Sequence, residues 1–127
     1  MKKLFSPNEN EKLIIIKDNE NIVIDKDSVI KGIINETSNN NLCINFLIKE
    51  NVNTTITYLN LNSNDDLEIK NEFKLEKYAN VVLNSFNNNL SNLIEENSFY
   101  LDYKSNLEIN SLSINEDSTN SKSNVYL

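Results

Sequence analysis

Histidine and tryptophan are absent from this chain of 127 residues, arginine is absent too, and glycine, proline, cysteine and methionine occur once each. Without histidine there is no Ser-His-Asp or Cys-His relay, and the usual zinc sites lose their commonest ligand. A single glycine, Gly32, cannot build a phosphate-cradling loop of the GxxxxGKS or GxGxxG kind. A single cysteine, Cys43, gives no internal disulfide and suits a reducing compartment. No apolar run approaches the length of a membrane-spanning helix, the longest aliphatic run being Leu13–Ile16. The opening "MKKLFSPNEN" lacks the apolar region of a signal peptide, so the default expectation is a cytoplasmic protein. All 12 cations are lysines, and the net charge of −7 opposes binding to nucleic acid or to anionic membranes.

What is abundant is Asn, Ile, Leu and Lys, arranged with a period of two. Leu42, Ile44, Phe46 and Ile48 share one parity, which Thr54, Ile56 and Tyr58 continue before Leu59 and Leu61 take the other. A longer alternation runs through Leu67, Ile69, Phe73, Leu75, Ala79, Val81 and Leu83, and resumes at Phe99, Leu101, Tyr103, Leu107 and Ile109. That period is the strand period, and the side chains are those that favour strands. The N-terminal "KLIIIKD" and "NIVIDKDSVIKGII" are more continuously apolar, as for strands covered on both faces. Only "NNNLSNLIEEN", 87–97, has spacing for a helical turn, at Leu90, Leu93 and Ile94. The chain reads as one all-β domain over 1–127.

Asparagine replaces glycine at the expected joints, Asn19–Asn21, Asn39–Asn41, Asn62–Asn64, Asn87–Asn89 and Asn120–Asn124, because it tolerates the left-handed region. Asn-Gly and Asp-Gly hairpin signals are absent, which favours corners over reversals. A loose repeat links "IKENVNTTI" (Ile48–Ile56), "EKYANVVL" (Glu76–Leu83), "IEENSFYL" (Ile94–Leu101) and "DYKSNLEI" (Asp102–Ile109). Each has a charged residue, a small or Asn residue, then alternating apolar positions. Such units suit a parallel β-helix, or solenoid, of irregular coils, with a β-sandwich as the alternative that the period leaves open. In "YKSNLEINSLSI" the apolar parity slips between Leu107/Ile109 and Leu112/Ile114, and the expectation is a corner at Asn110-Ser111. The echo "DLEI", 66–69, fits an earlier coil of the same kind.

Candidate chemistry is sparse. Cys43 has the parity opposite Leu42, Ile44 and Phe46 and reads as a small strand residue. The carboxylate pairs Asp65–Asp66, Glu95–Glu96 and Glu116–Asp117 read as solvated turns, and Asp18 with Asp25 and Asp27 fails the EF-hand pattern. The five tyrosines read as half-buried strand residues. No catalytic, cofactor-binding or metal residue is assigned, and the chain is expected not to be an enzyme.

The run from "NLCINFLIKENVNTTITYLNL" through "LEKYANVVL" to "YKSNLEINSLSI" resembles the core of the SufB/SufD family, scaffold subunits of the Suf iron–sulfur cluster assembly system. The resemblance covers Leu13 to the C-terminus and lies in strand rhythm. It implies a right-handed parallel β-helix that pairs with a SufB/SufD-type subunit and associates with a SufC-type ATPase. It implies an iron–sulfur cluster in the assembly, although one Cys and no His cannot supply a closed cluster site in this chain alone. The family's later section, with its cluster-related residues, dimerising strands and ATPase-binding helices, has no counterpart, so the expected role is that of a fragment of the scaffold acting through protein–protein contacts. An extracellular β-sandwich or adhesin-like binding module is the alternative.

Overall fold

Alternating branched and aromatic residues fold into eleven strands in the computed structural model, which describes residues 2–5, 13–35, 41–60, 67–89, 93–115 and 119–127. They are β1 (Lys2–Phe5), β2 (Leu13–Ile16), β3 (Glu20–Ile24), β4 (Ser28–Asn35), β5 (Asn41–Ile48), β6 (Asn53–Asn60), β7 (Leu67–Leu75), β8 (Asn80–Asn89), β9 (Leu93–Leu101), β10 (Asn106–Asn115) and β11 (Thr119–Tyr126). Among the described residues there is no helix. Odd-numbered strands form one sheet in the order β1-β3-β5-β7-β9-β11, and even-numbered strands form the other, β10-β8-β6-β4-β2. Every pairing is parallel, unlike the antiparallel pairings of a Greek-key sandwich. Parallel neighbours need a crossover of a dozen or more residues, and here each crossover is a strand of the opposite sheet.

One core joins the two sheets. Its rows follow the register, so a given apolar type recurs beside itself: Ile22, Phe46, Phe73, Phe99 and Val125 are successive partners. Within that row Phe46 and Phe73 stack at 4.3 Å, and Phe73 and Phe99 at 4.9 Å. Ile30, Ile56, Leu83 and Ile109 make the facing row in the other sheet. A β-bulge between Ile30 and Ile33 keeps both residues in the core, and Gly32 lies inside it rather than at a turn.

Three of the four repeated phrases are one stacked turn. Val52, Ala79 and Ser105 each donate a backbone N–H to the residue three before, Lys49, Glu76 and Asp102. The residue between, Asn51, Tyr78 or Lys104, has a positive φ of 64°, 62° or 50°. That is the third-position geometry of a type II turn, which is why an Asn serves there. Glu76 and Asp102 then donate to Ile48 and Leu75, and Asn80 and Asn106 to Val52 and Ala79, so each turn hydrogen-bonds to the one beneath it.

Several expectations are corrected. "IEENSFYL" lies within strand β9 and is not a turn unit, because all eight of its residues pair with β7. Positions 87–89 and 93–97 are extended rather than helical, held in parallel register with β6, β7, β10 and β11. Asn87–Asn89 and Asn120–Asn124 are therefore strand residues, while positions 36–40 and 61–66 lie outside the described residues. Leu13 and Ile15 are exposed on β2, so that strand is covered on one face only. No corner occurs at Asn110-Ser111: β10 pairs with β8 without a break. The parity slip instead moves Leu112 to the outer face, in register with Phe86 and Leu59. The "DLEI" echo lies in the opposite sheet, where Leu67 and Ile69 belong to β7.

Candidate interaction surface

The sequence leaves few polar groups in the interior: Ser28 and Thr54 bond to each other at 3.1 Å across β4 and β6, and a second group forms around Asn71 and Glu95 on β7 and β9. Asn71 replaces Ile44 in its row, and Asn97 follows it. The Asn71 amide donates to Asn97 Oδ1 at 2.8 Å, and the Asn97 amide donates to Glu95 Oε1 at 3.0 Å. Tyr58 faces this chain from the other sheet, and its hydroxyl makes no hydrogen bond of good geometry despite the nearby Asn71. Burial, reinforced by the Glu95 carboxylate, pushes the Tyr58 phenol well above its ordinary 10.0, so it stays neutral. Neutral phenol and amides beside one carboxylate make a structural polar seam, not an acid–base pair.

Glu95 is thus the clearest departure from the sequence reading. Expected in a solvated turn, it lies inward on β9 and is buried, while its neighbour Glu96 takes the opposite face. Glu95 shares the parity of Phe99 and Leu101, but its place in a turn-like run hid that this strand reaches back so far, which the register with Ile69 shows. Cys43 sits exposed on β5, its backbone N–H donating to Asn19 Oδ1 at 2.8 Å. Asp65–Asp66 and Glu116–Asp117 lie outside the described residues. Among the described residues no three of His, Cys, Asp and Glu come together as metal ligands. The tyrosines divide: Tyr58 is buried, Tyr78 and Tyr103 sit in the stacked turns 5.7 Å apart, and Tyr100 and Tyr126 stack at 4.8 Å on exposed strand positions.

The outer face of the even-numbered sheet carries amide ladders. Asn80 donates to Asn53 at 2.6 Å, Asn106 to Asn80 at 2.7 Å, and Asn110 to Asn84 at 3.0 Å. Beside the first ladder runs a shallow trough of about 480 Å³, floored in part by Val29, Thr55 and Val82. Its two carboxylates, Asp27 just before β4 and Glu108 on β10, have strands β6 and β8 between them and are too far separated to work as a pair.

The two ends of the stack differ. On edge strand β2 the inward Ile14 and Ile16 are 3% and 0% exposed. On β10 and β11, the edge strands at the other end, Ile109 is 39% and Val125 is 53% exposed. These two residues finish the rows that are fully buried at Ile56 and Phe73. The core therefore ends uncovered, bordered by two strands that each have one neighbour among the described residues.

No family model matches the chain, no curated protein is similar to it, and no solved structure matches its fold.

Proposed function

We propose that the chain is a right-handed two-walled β-solenoid that works as a non-catalytic scaffold subunit of the SufB/SufD type, docking a partner by its C-terminal end. The solenoid reading is supported by the strict alternation of strands between two parallel sheets and by the stacked turns that join them. The right-handed sense follows from the general rule for parallel crossovers. The observation that carries the function is the exposure of the core rows at Ile109 and Val125, on two strands that each have one neighbour among the described residues. Exposed apolar rows at a sheet edge attract a further strand. A SufB/SufD-type subunit is the partner in this reading. The SufC-type ATPase joins through that subunit, and any iron–sulfur cluster is held by the assembly rather than by Cys43. A cytoplasmic setting belongs to the same proposal.

Co-expression with a SufB-type and a SufC-type subunit tests it. A complex recovered by pull-down, and lost in the double variant Ile109→Lys/Val125→Lys, is the expected result. No complex with either subunit would sink the assignment. The double variant changes two exposed positions, so its circular dichroism spectrum should match that of the parent.

A further inference from the structure

The end of the even-numbered sheet is selective in chemistry as well as open. β10 continues two kinds of row at once. Its inward Leu107 and Ile109 extend the Thr54–Val81 and Ile56–Leu83 rows. Its outward Asn106 and Asn110 extend the amide ladders, in which each later strand donates its amide to the oxygen of the strand before. Asn80 shows both halves of that bond, donating its amide to Asn53 Oδ1 and accepting at its own Oδ1 from the Asn106 amide. Asn106 has given its amide in the same way, and Asn110 shares its amide between Asn84 Oδ1 and, at 3.3 Å, Glu108 Oε2, which leaves both asparagine oxygens on the side away from β8. Between them stands Glu108, in register with Val82 and Thr55, the only charged side chain among β10 positions 106–112.

We infer that β10 recruits a parallel partner strand of the pattern Asn-apolar-Lys-apolar-Asn. The two asparagines donate to the waiting oxygens of Asn106 and Asn110, the apolar residues cover Leu107 and Ile109, and the lysine meets Glu108. Main-chain bonds give such strand addition its affinity, while the alternating side chains give it selectivity. Cross-strand neighbours of opposite charge are favourable, and like charges directly opposite are not. The inference rests on the C-terminal end being a docking edge, and it narrows that reading to one edge and one partner chemistry.

The chain itself supplies a template for the probe, since β8 reads "NVVLNSF" over 80–86 and already lies on the β10 register. A fluorescent peptide of that sequence carrying Val82→Lys is titrated with the full chain, and the bound state is mapped on the isotopically labelled chain by NMR. Saturable binding is expected, with shifts concentrated in Asn106–Asn115. Replacing that lysine by glutamate, or both asparagines by leucine, should weaken binding by roughly tenfold or more, summed over contacts of ordinary cross-strand strength. No saturable binding, shifts centred elsewhere than β10, or equal affinity for the three peptides would each overturn the inference. A Suf-type complex that forms although the peptide fails would leave the scaffold reading standing and remove only this one. Peptide binding at β10 without any Suf-type complex would do the reverse.

Discussion

Lys104 holds a φ of 50° with a side chain that gains little from the position, a cation 5.4 Å from the Tyr103 ring in solvent. A non-glycine residue in the left-handed region costs about 1–2 kcal/mol. Lys104→Gly removes that cost at the price of unfolded-chain entropy, so a net gain of about 0.5–1 kcal/mol is expected in urea denaturation. The same change at Tyr78 should gain less, because Tyr78 packs edge-on against Tyr103. Phe73 is the opposite case. It is sandwiched between Phe46 and Phe99 in the buried row, so Phe73→Ala should cost about 3–5 kcal/mol. Tyr58 links stability to pH. Its phenol has a raised pKa in the fold, so its contribution is complete below its ordinary 10.0 and drains away as pH climbs above that value toward the folded one. The expected slope is a loss of about 1.4 kcal/mol per pH unit in that window. Tyr58→Phe should flatten this alkaline branch in denaturation curves taken from pH 9 upward. An unchanged branch would mean that other groups dominate it.

The stacked turn is the element that the sequence most nearly wrote out. Its phrases at 48–56, 76–83 and 102–109 share a charged residue, a small inward residue and an Asn that starts the next strand, and all three fold alike. Strand parity was equally legible wherever one face is buried, as along β5, whose burial alternates through Leu42, Ile44, Phe46 and Ile48. Two things were not legible. The pairing partner of each strand lies 19 to 27 positions away, from the 19 between Leu13 and Gly32 to the 27 between Leu42 and Ile69, which no local pattern encodes. The role of an Asn also depends on its neighbours: the same residue turns the chain at Asn51, builds a ladder at Asn80 and enters the core at Asn71. The inward corner position makes a sharp test of the turn stack. Ala79 is fully buried there between the equivalent Val52 and Ser105. Ala79→Leu should therefore cost about 1–3 kcal/mol by overpacking, and Ala79→Val less, since the turn beneath already holds a valine. Equal and negligible effects in thermal melts would show that the stacked turns yield without strain.

At the scale of the whole molecule, each strand hydrogen-bonds to its sheet neighbours and shares one core with the facing sheet, so stability is expected to grade along the stack. Central strands β5 to β8 have neighbours on both sides, whereas β10 and β11 have one among the described residues. Native-state hydrogen exchange should follow that gradient, and on β10 it should also alternate. Asn106 donates its N–H to Ala79, so with the unbroken register Glu108 and Asn110 point the same way, toward β8. The amides of Leu107, Ile109 and Ser111 then point to the open side. Slow exchange at Asn106, Glu108 and Asn110 with fast exchange at Leu107, Ile109 and Ser111 is the expected record of a free edge. Uniform protection along β10 in the isolated chain would mean that the edge is already covered, and the docking reading would lose its basis. A partner strand added in parallel should slow the fast set alone, which makes the alternation a direct readout of occupancy.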